Sequence, residues 1–256
     1  CLFMEQGKIH TFIEEGIGWI KFYHPKGNSL PSVLLNEIAR AIHLYDKDAS
    51  VRVIAIASEG ASAFCAGASF DELLSIKNES EGKNFFSGFA KVILAMKESS
   101  KFVVVRIHGK AIGGGVGIAA AADYSFAMNT SSIKLSELSL GIGPFVIGPA
   151  VERKIGLAAF SELSINATEW KTAQWAHQKG LYTSMHDSEE LMDVELNKLL
   201  NALASSSTEA MHKMKQMFWE GTAQWNTLLY ERAAVSGALV LSNKTKEILS
   251  QLKKAN

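Results

Sequence analysis

Five consecutive positions, Gly113-Gly114-Gly115-Val116-Gly117, constrain this chain more than any other stretch. They come after the apolar run Phe102 to Ile107 and directly before Ile118 to Ala122. A β-strand, a glycine elbow and an alanine-rich helix is the simplest reading. Glycine lets the backbone turn sharply and leaves its N–H groups bare, and a helix N-terminus aims such donors at an anion. Two of the three known anion sites of this kind fail on the residues. A dinucleotide fingerprint needs a glycine three places after Gly115, where Ile118 stands, and belongs to the first β-α unit rather than this far along. A P-loop ends in Gly-Lys-Ser/Thr, and Gly117-Ile118-Ala119 has neither the lysine nor the hydroxyl. The third is an oxyanion hole, a pair of N–H donors aimed at a carbonyl oxygen that becomes negative during reaction. Its second donor would come from the other small-residue loop, Ala63-Phe64-Cys65-Ala66-Gly67-Ala68. On composition alone a plainer account, two tight turns whose glycines satisfy sterics, is slightly favoured.

The 256 residues are 47% hydrophobic and 20% charged, ample for a sizeable core. The 26 basic and 26 acidic residues balance, which speaks against a nucleic-acid partner. Cys1 and Cys65 form no CxxC, and the seven histidines show no metal-ligand spacing, so neither a disulfide framework nor a metal site is expected. The apolar runs are far shorter than a membrane span, and no basic-then-apolar signal opens the chain. A soluble cytoplasmic protein with no membrane partner is expected, with Met4 as its natural start.

Lys8 to Glu14 and Ile17 to Tyr23 read as a hairpin about Glu15-Gly16. Leu34, Leu35, Ile38, Ala41, Ile42 and Tyr45 recur at helical spacing, predicting an amphipathic helix over Ser32 to Asp46 behind Pro31. Val51 to Ala57, Lys101 to Ile107 and Asp123 to Met128 are strand candidates. Asp71 to Ile76 and Phe86 to Glu98 are helical, and the charged Lys77 to Lys83 between them is expected to be a mobile surface loop, a lid being the lesser reading. Beyond about residue 150 the patterning is almost wholly helical, with Gly156 and Gly180 as C-terminal stops. This α/β alternation puts both small-residue loops at one end of a sheet, where such folds place their sites.

At this point the residues resemble a known family. Ala63 to Ala68 followed by Gly109-Lys110-Ala111-Ile112-Gly113-Gly114-Gly115 is similar to the crotonase superfamily, the enoyl-CoA hydratase/isomerase family. His24-Pro25-Lys26-Gly27-Asn28-Ser29-Leu30, Ala122-Asp123, Glu137-Leu138-Ser139-Leu140-Gly141-Ile142 and the Trp170 to Leu181 segment follow in the same order. The resemblance implies an α/β, crotonase-like spiral of ββα units over residues 1–195 with the acyl-CoA site, and a C-terminal helical region, 196–256, used in trimer assembly. It implies a homotrimer or a dimer of trimers. The substrate would be a coenzyme A thioester, coenzyme A being part of the substrate and no separate cofactor being needed. The thioester oxygen would lie between the N–H groups of Ala68 and Gly114, with Lys26, Ala66 and Gly117 also at the substrate.

Hydratases of the family resemble a two-glutamate machine. Here the first glutamate position is Gly117, which has no side chain to act, while the second is kept as Glu137. One carboxylate suits a proton shuttle that moves a double bond better than it suits water addition. Isomerisation with Glu137 as base and then acid is therefore expected, with hydration or a non-catalytic acyl-CoA binder as alternatives. The role needs a carboxyl raised by an apolar surround, for which Leu135, Leu138 and Phe145 are near in sequence. Pro144-Phe145-Val146-Ile147-Gly148 replaces a glycine-rich run of the family and either narrows the acyl pocket or packs a helix entry. Cys65 is expected to pack without acting as a nucleophile. Lys26 is read as a phosphate contact or an ordinary solvated lysine. Trp219, Trp225, Phe218 and Tyr230 are read as core or subunit interface.

Overall fold

The computed structural model describes residues 7–255; Cys1 and the start expected at Met4 lie outside them. The chain opens with the expected hairpin, β1 (Lys8–Glu14) against β2 (Ile17–Tyr23), antiparallel with Lys8 opposite Tyr23. Helix α1 (Ser32–Lys47) follows, with all six residues of the predicted stripe buried and Pro31 one place before its first turn. Then come β3 (Val53–Ser58) and β4 (Ala63–Cys65), α2 (Phe70–Ser75), α3 (Glu79–Glu98), β5 (Val103–Ile107), β6 (Lys110–Ile112) and the elbow helix α4 (Gly114–Ala121). β7 (Tyr124–Met128), β8 (Ser132–Lys134) and a 3-10 turn (Glu137–Leu140) lead to α5 (Gly148–Ile165). β9 (Lys171–Thr172), α6 (Ala173–Gln178), β10 (Ser184–His186), α7 (Glu189–Ala204), α8 (Thr208–Phe218), α9 (Trp225–Leu239) and α10 (Asn243–Ala255) complete the described chain.

The strands form two sheets, β1-β2-β3-β5-β7-β10 and β4-β6-β8-β9. Each of the pairs β3/β4, β5/β6 and β7/β8 gives its first strand to the large sheet and its second to the small one. That is the ββα spiral expected from the sequence. β3 is buried at every residue because helices cover both faces of a parallel sheet, so its sequence, Val-Ile-Ala-Ile-Ala-Ser, is nearly continuously apolar. No helix of the described residues is long and apolar enough to cross a membrane.

Three expectations need correcting. The charged Lys77 to Lys83 segment is no loop: Asn78 caps α3, its side chain accepting from the Glu81 N–H at 3.0 Å, and Glu79 and Glu81 sit at the positive end of the helix. Gly156 does not end α5 but kinks it, at φ +77°. The tail beyond residue 150 also holds β9 and β10, strands too short to leave a period in the sequence.

Candidate active site

Two loops leave the small sheet side by side. After β4 the backbone runs through Ala66, Gly67 and Ala68. Leu30 N–H donates to Gly67 O at 2.8 Å and Ser69 N–H to Leu30 O at 3.2 Å, which turns the intervening Ala68 N–H to the opposite side. After β6, Gly113 bends at φ +52°, ψ −114°, a conformation open to glycine, and starts α4. The Gly113 N–H donates to Lys134 O at 2.9 Å. Gly114 is the first helical residue, so its own N–H has no partner within the helix. A methyl group on Gly67 would come within 3.8 Å of Gly114 N, which measures how closely the loops approach.

The loops form one wall of a cavity of about 750 Å³. Ala66, Ala68, Gly114 and Glu137 all line it, as do Phe89, Phe145 and Ile147. The buried Phe89 ring lies against Gly114; a Cβ there would sit 2.1 Å from it, so no larger residue fits. Glu137 opens the 3-10 turn beyond β8. Its Oε1 lies 2.8 Å from where a Gly113 Cβ would stand, so the elbow glycine makes room for the carboxyl as well as for the turn. Glu137 Oε2 is buried without a hydrogen-bond partner. Burial pushes the Glu137 carboxyl up from 4.5 to about 7, a rise only partly opposed by its own backbone N–H.

The apolar surround differs in part from expectation. Leu135 is fully buried, but Leu138 is 51% exposed and turned away from the cavity. Phe145, expected there, does line the cavity, and Pro144, Val146 and Ile147 line it beside Phe145, while Ile147 also precedes α5. Ile147 further explains Gly117. A Cβ at Gly117 would fall 2.5 Å from Ile147 Cγ2 and 2.9 Å from its Cβ. Gly117 is thus covered by Ile147 and does not line the cavity, and the structure does not bring it into the site as a substrate contact. Lys26 does not line the cavity either; its ammonium pairs with Asp71 at the surface. Cys65 is fully buried, and desolvation pushes its thiol up to about 12, which suits packing against Gly115 and disfavours a thiolate. Among the described residues no three His, Cys, Asp or Glu side chains cluster as metal ligands.

The sequence gives no hint of three further lining residues. Phe89 reads only as one more apolar position of a helix, and Ser236 and Leu252 belong to α9 and α10, far along the chain. The C-terminal helical region therefore completes the site's wall. Its aromatic residues divide. Trp219 and Trp225 are buried edge to face at 5.7 Å, and Trp219 Nε1–H donates to Asp123 Oδ1 at 3.0 Å, whereas Phe218 is exposed.

Comparison with known proteins agrees with this architecture. The enoyl-CoA hydratase/isomerase family model matches residues 12–250. A Bacillus subtilis (strain 168) protein named "Probable enoyl-CoA hydratase" is 28% identical over 213 residues, 82% of this chain and 81% of that protein. The short-chain-enoyl-CoA hydratase of Clostridium acetobutylicum is 27% identical over 85% of this chain and 83% of its own length. The crystal structure of an enoyl-CoA hydratase from Bacillus halodurans superposes with a TM-score of 0.87 at 21% identity, covering 95% of this chain and 99% of that one. The fold is that of the crotonase enzymes. The chain belongs to the enoyl-CoA hydratase/isomerase family, whose members act on acyl-CoA thioesters.

Proposed function

We propose that the protein moves a carbon–carbon double bond in an enoyl-CoA thioester, with Glu137 as the single proton carrier. Glu137 as carboxylate takes a proton from C2 of a 3-enoyl thioester. The electron pair delocalises onto the thioester oxygen, where the N–H groups of Ala68 and Gly114 stabilise the negative charge. The protonated Glu137 then returns the proton to C4, leaving the double bond between C2 and C3. Loss of one such oxyanion donor typically costs about 3 kcal/mol of transition-state stabilisation. A carboxyl at about 7 populates both proton states near neutral pH, as a base that must also act as an acid requires.

The observation that carries the reading is the lone carboxyl. Glu137 is the one acidic side chain lining the cavity among the described residues, and Ile147 fills the space over Gly117. Hydration is the second reading, supported by the hydratase names of the relatives. Offering the purified protein 2-enoyl-CoA and 3-enoyl-CoA separately, with products identified by mass, separates the two. Isomerisation leaves the mass unchanged, and substantial water addition to the 2-enoyl substrate overturns it. Glu137→Gln should lower kcat by roughly a hundredfold or more, the usual worth of a general acid–base group. Equal turnover by wild type and variant on every enoyl-CoA tested would remove Glu137 from the mechanism.

A further inference from the structure

Glu137 has an unusual anchorage. Its Oε2 has no partner, so no hydrogen bond to that oxygen steers the carboxyl, and its place depends on the 3-10 turn that carries it. That turn is held at both ends by hydrogen bonds that reach outside it. At the near end the anchorage is the strand that leads into it: Lys134 O, at the end of β8, accepts from Gly113 N–H at 2.9 Å and ties that strand to the elbow. At the far end, Gly141 closes the turn at φ +81° and its O accepts from the Thr245 hydroxyl at 3.1 Å, across 104 residues of sequence. Between them lie only local bonds, such as Ile142 N–H to Glu137 O at 3.0 Å.

Thr245 sits in the first turn of α10 and is fully buried. Its Oγ1 accepts from the Ser242 hydroxyl at 3.0 Å, and Ser242 Oγ in turn accepts the Thr245 N–H at 3.2 Å. The Thr245 hydroxyl proton is thereby committed to Gly141. A Cβ at Gly141 would lie 2.4 Å from Thr245 Oγ1, so a glycine lets the two backbones close. Ile142, next along, packs with Val240 and Leu249 in an apolar cluster that includes Leu73 and Phe85 of the cavity wall.

We propose that Thr245 is the positioning residue for Glu137: by holding Gly141 it fixes the turn that sets the carboxyl against the elbow, so that the last helix governs proton transfer at the site. The inference rests on the role given to Glu137 above. It differs from a general packing role because the clasp is one hydroxyl on one carbonyl. The competing charges are few. Lys134 is the other charged side chain lining the cavity, and its ammonium is engaged over the Trp170 ring at 4.5 Å. On α10, Lys244, Lys246 and Glu247 are exposed, the first pairing with the last at 3.4 Å.

Thr245→Val removes the hydroxyl and keeps the shape; Thr245→Ser restores the hydroxyl. The primary readout is the titration midpoint of the Glu137 carboxyl, followed by 13C NMR in substrate-free, glutamate-labelled protein and assigned with Glu137→Gln. In Thr245→Val the freed turn lets water reach the carboxyl, and the midpoint should fall from about 7 by about one pH unit. With 3-enoyl-CoA, kcat should fall about tenfold while KM stays within about twofold, as expected for an interaction acting on the transition state. Thr245→Ser should recover both. A wild-type midpoint and kcat in folded Thr245→Val overturn the proposal. If Thr245→Val is not recovered folded, Ser242→Ala weakens the same relay from its half-buried end; it should shift the midpoint in the same direction, and an unchanged midpoint overturns the proposal equally. Failure of the isomerase reading is recognised separately, because wild type would then leave 3-enoyl-CoA untouched while the NMR titration still reports on Thr245.

Discussion

At the scale of single residues, the pair Gly117 and Ile147 shows how one side chain settles what a glycine means. Read locally, Gly117 is a helix residue without a side chain. In three dimensions its missing Cβ leaves the space that Ile147 fills, and Ile93 Cδ1 lies 3.6 Å from where that Cβ would stand. A single Gly117→Glu exchange therefore cannot place a second carboxyl in the cavity, because Ile147 blocks the first atom of the new side chain. The smaller Gly117→Ala change should already destabilise the protein by about 1–3 kcal/mol through overpacking. Combining it with Ile147→Ala should be less damaging than the two single changes added together, with a coupling of at least about 0.5 kcal/mol between residues in contact. Urea unfolding of the four proteins measures the cycle; strict additivity would mean that Ile147 does not cover Gly117.

At the scale of elements, the C-terminal helices are fastened to the core by polar chemistry that is rare in a protein interior. Lys215 on α8 is buried, and its ammonium donates to Met96 O and Lys101 O at 2.7 Å each while pairing with Asp123 Oδ2 at 2.9 Å. Desolvation holds the Lys215 ammonium below its ordinary range, and Asp123 opposes that shift. Asp123 follows the elbow helix and also receives the Val103 N–H at 2.7 Å and the Trp219 indole. Asp123→Asn keeps the shape but strands a buried cation. It should cost about 3–5 kcal/mol, the usual consequence of removing one partner of a buried pair. Chemical denaturation tests this, and a loss below about 1 kcal/mol would show that the pair bears little of the docking. Here the reach of sequence reading is also plain. Asp123 stands out as the end of a helix, α1 is legible from its hydrophobic period, and the β1–β2 hairpin from two β-rich runs about Glu15-Gly16. Lys215 looks like any surface lysine on an amphipathic helix, because its two carbonyl partners lie 114 and 119 residues away and Asp123 is also remote in sequence. The site divides the same way: the glycine elbow, Glu137 and the Pro144 to Gly148 run stand out in the sequence, while Phe89, Thr245 and the cover that Ile147 puts over Gly117 depend on contacts that leave no local trace.

At the scale of the whole molecule, the buried carboxyl links the site to the stability of the fold. A carboxyl at about 7 in the folded chain and near 4.5 in the unfolded one binds its proton more tightly when folded. Below pH 4.5 both states are protonated and Glu137 carries no charge penalty. Between 4.5 and 7 the unfolded chain loses the proton while the folded one keeps it, so stability falls as pH rises. Above 7 the penalty is complete, about 3 kcal/mol from a rise of this size. Glu137→Gln removes the titration and leaves a neutral side chain of similar shape. Whatever the amide costs for its own buried groups is the same at every pH, so the comparison between two pH values isolates the charge. The melting temperature of the variant relative to wild type should therefore be more favourable at pH 8 than at pH 5, by roughly 5 °C or more for a chain of this size. The activity of wild type should run the opposite way, kcat/KM rising through about pH 7 as Glu137 becomes the carboxylate that removes the substrate proton. The same ionisation thus lowers the stability of the fold and creates the base. A gap in melting temperature that does not change between pH 5 and pH 8 would mean that the carboxyl is not held protonated by burial, and the account of Glu137 as both base and acid would fall with it.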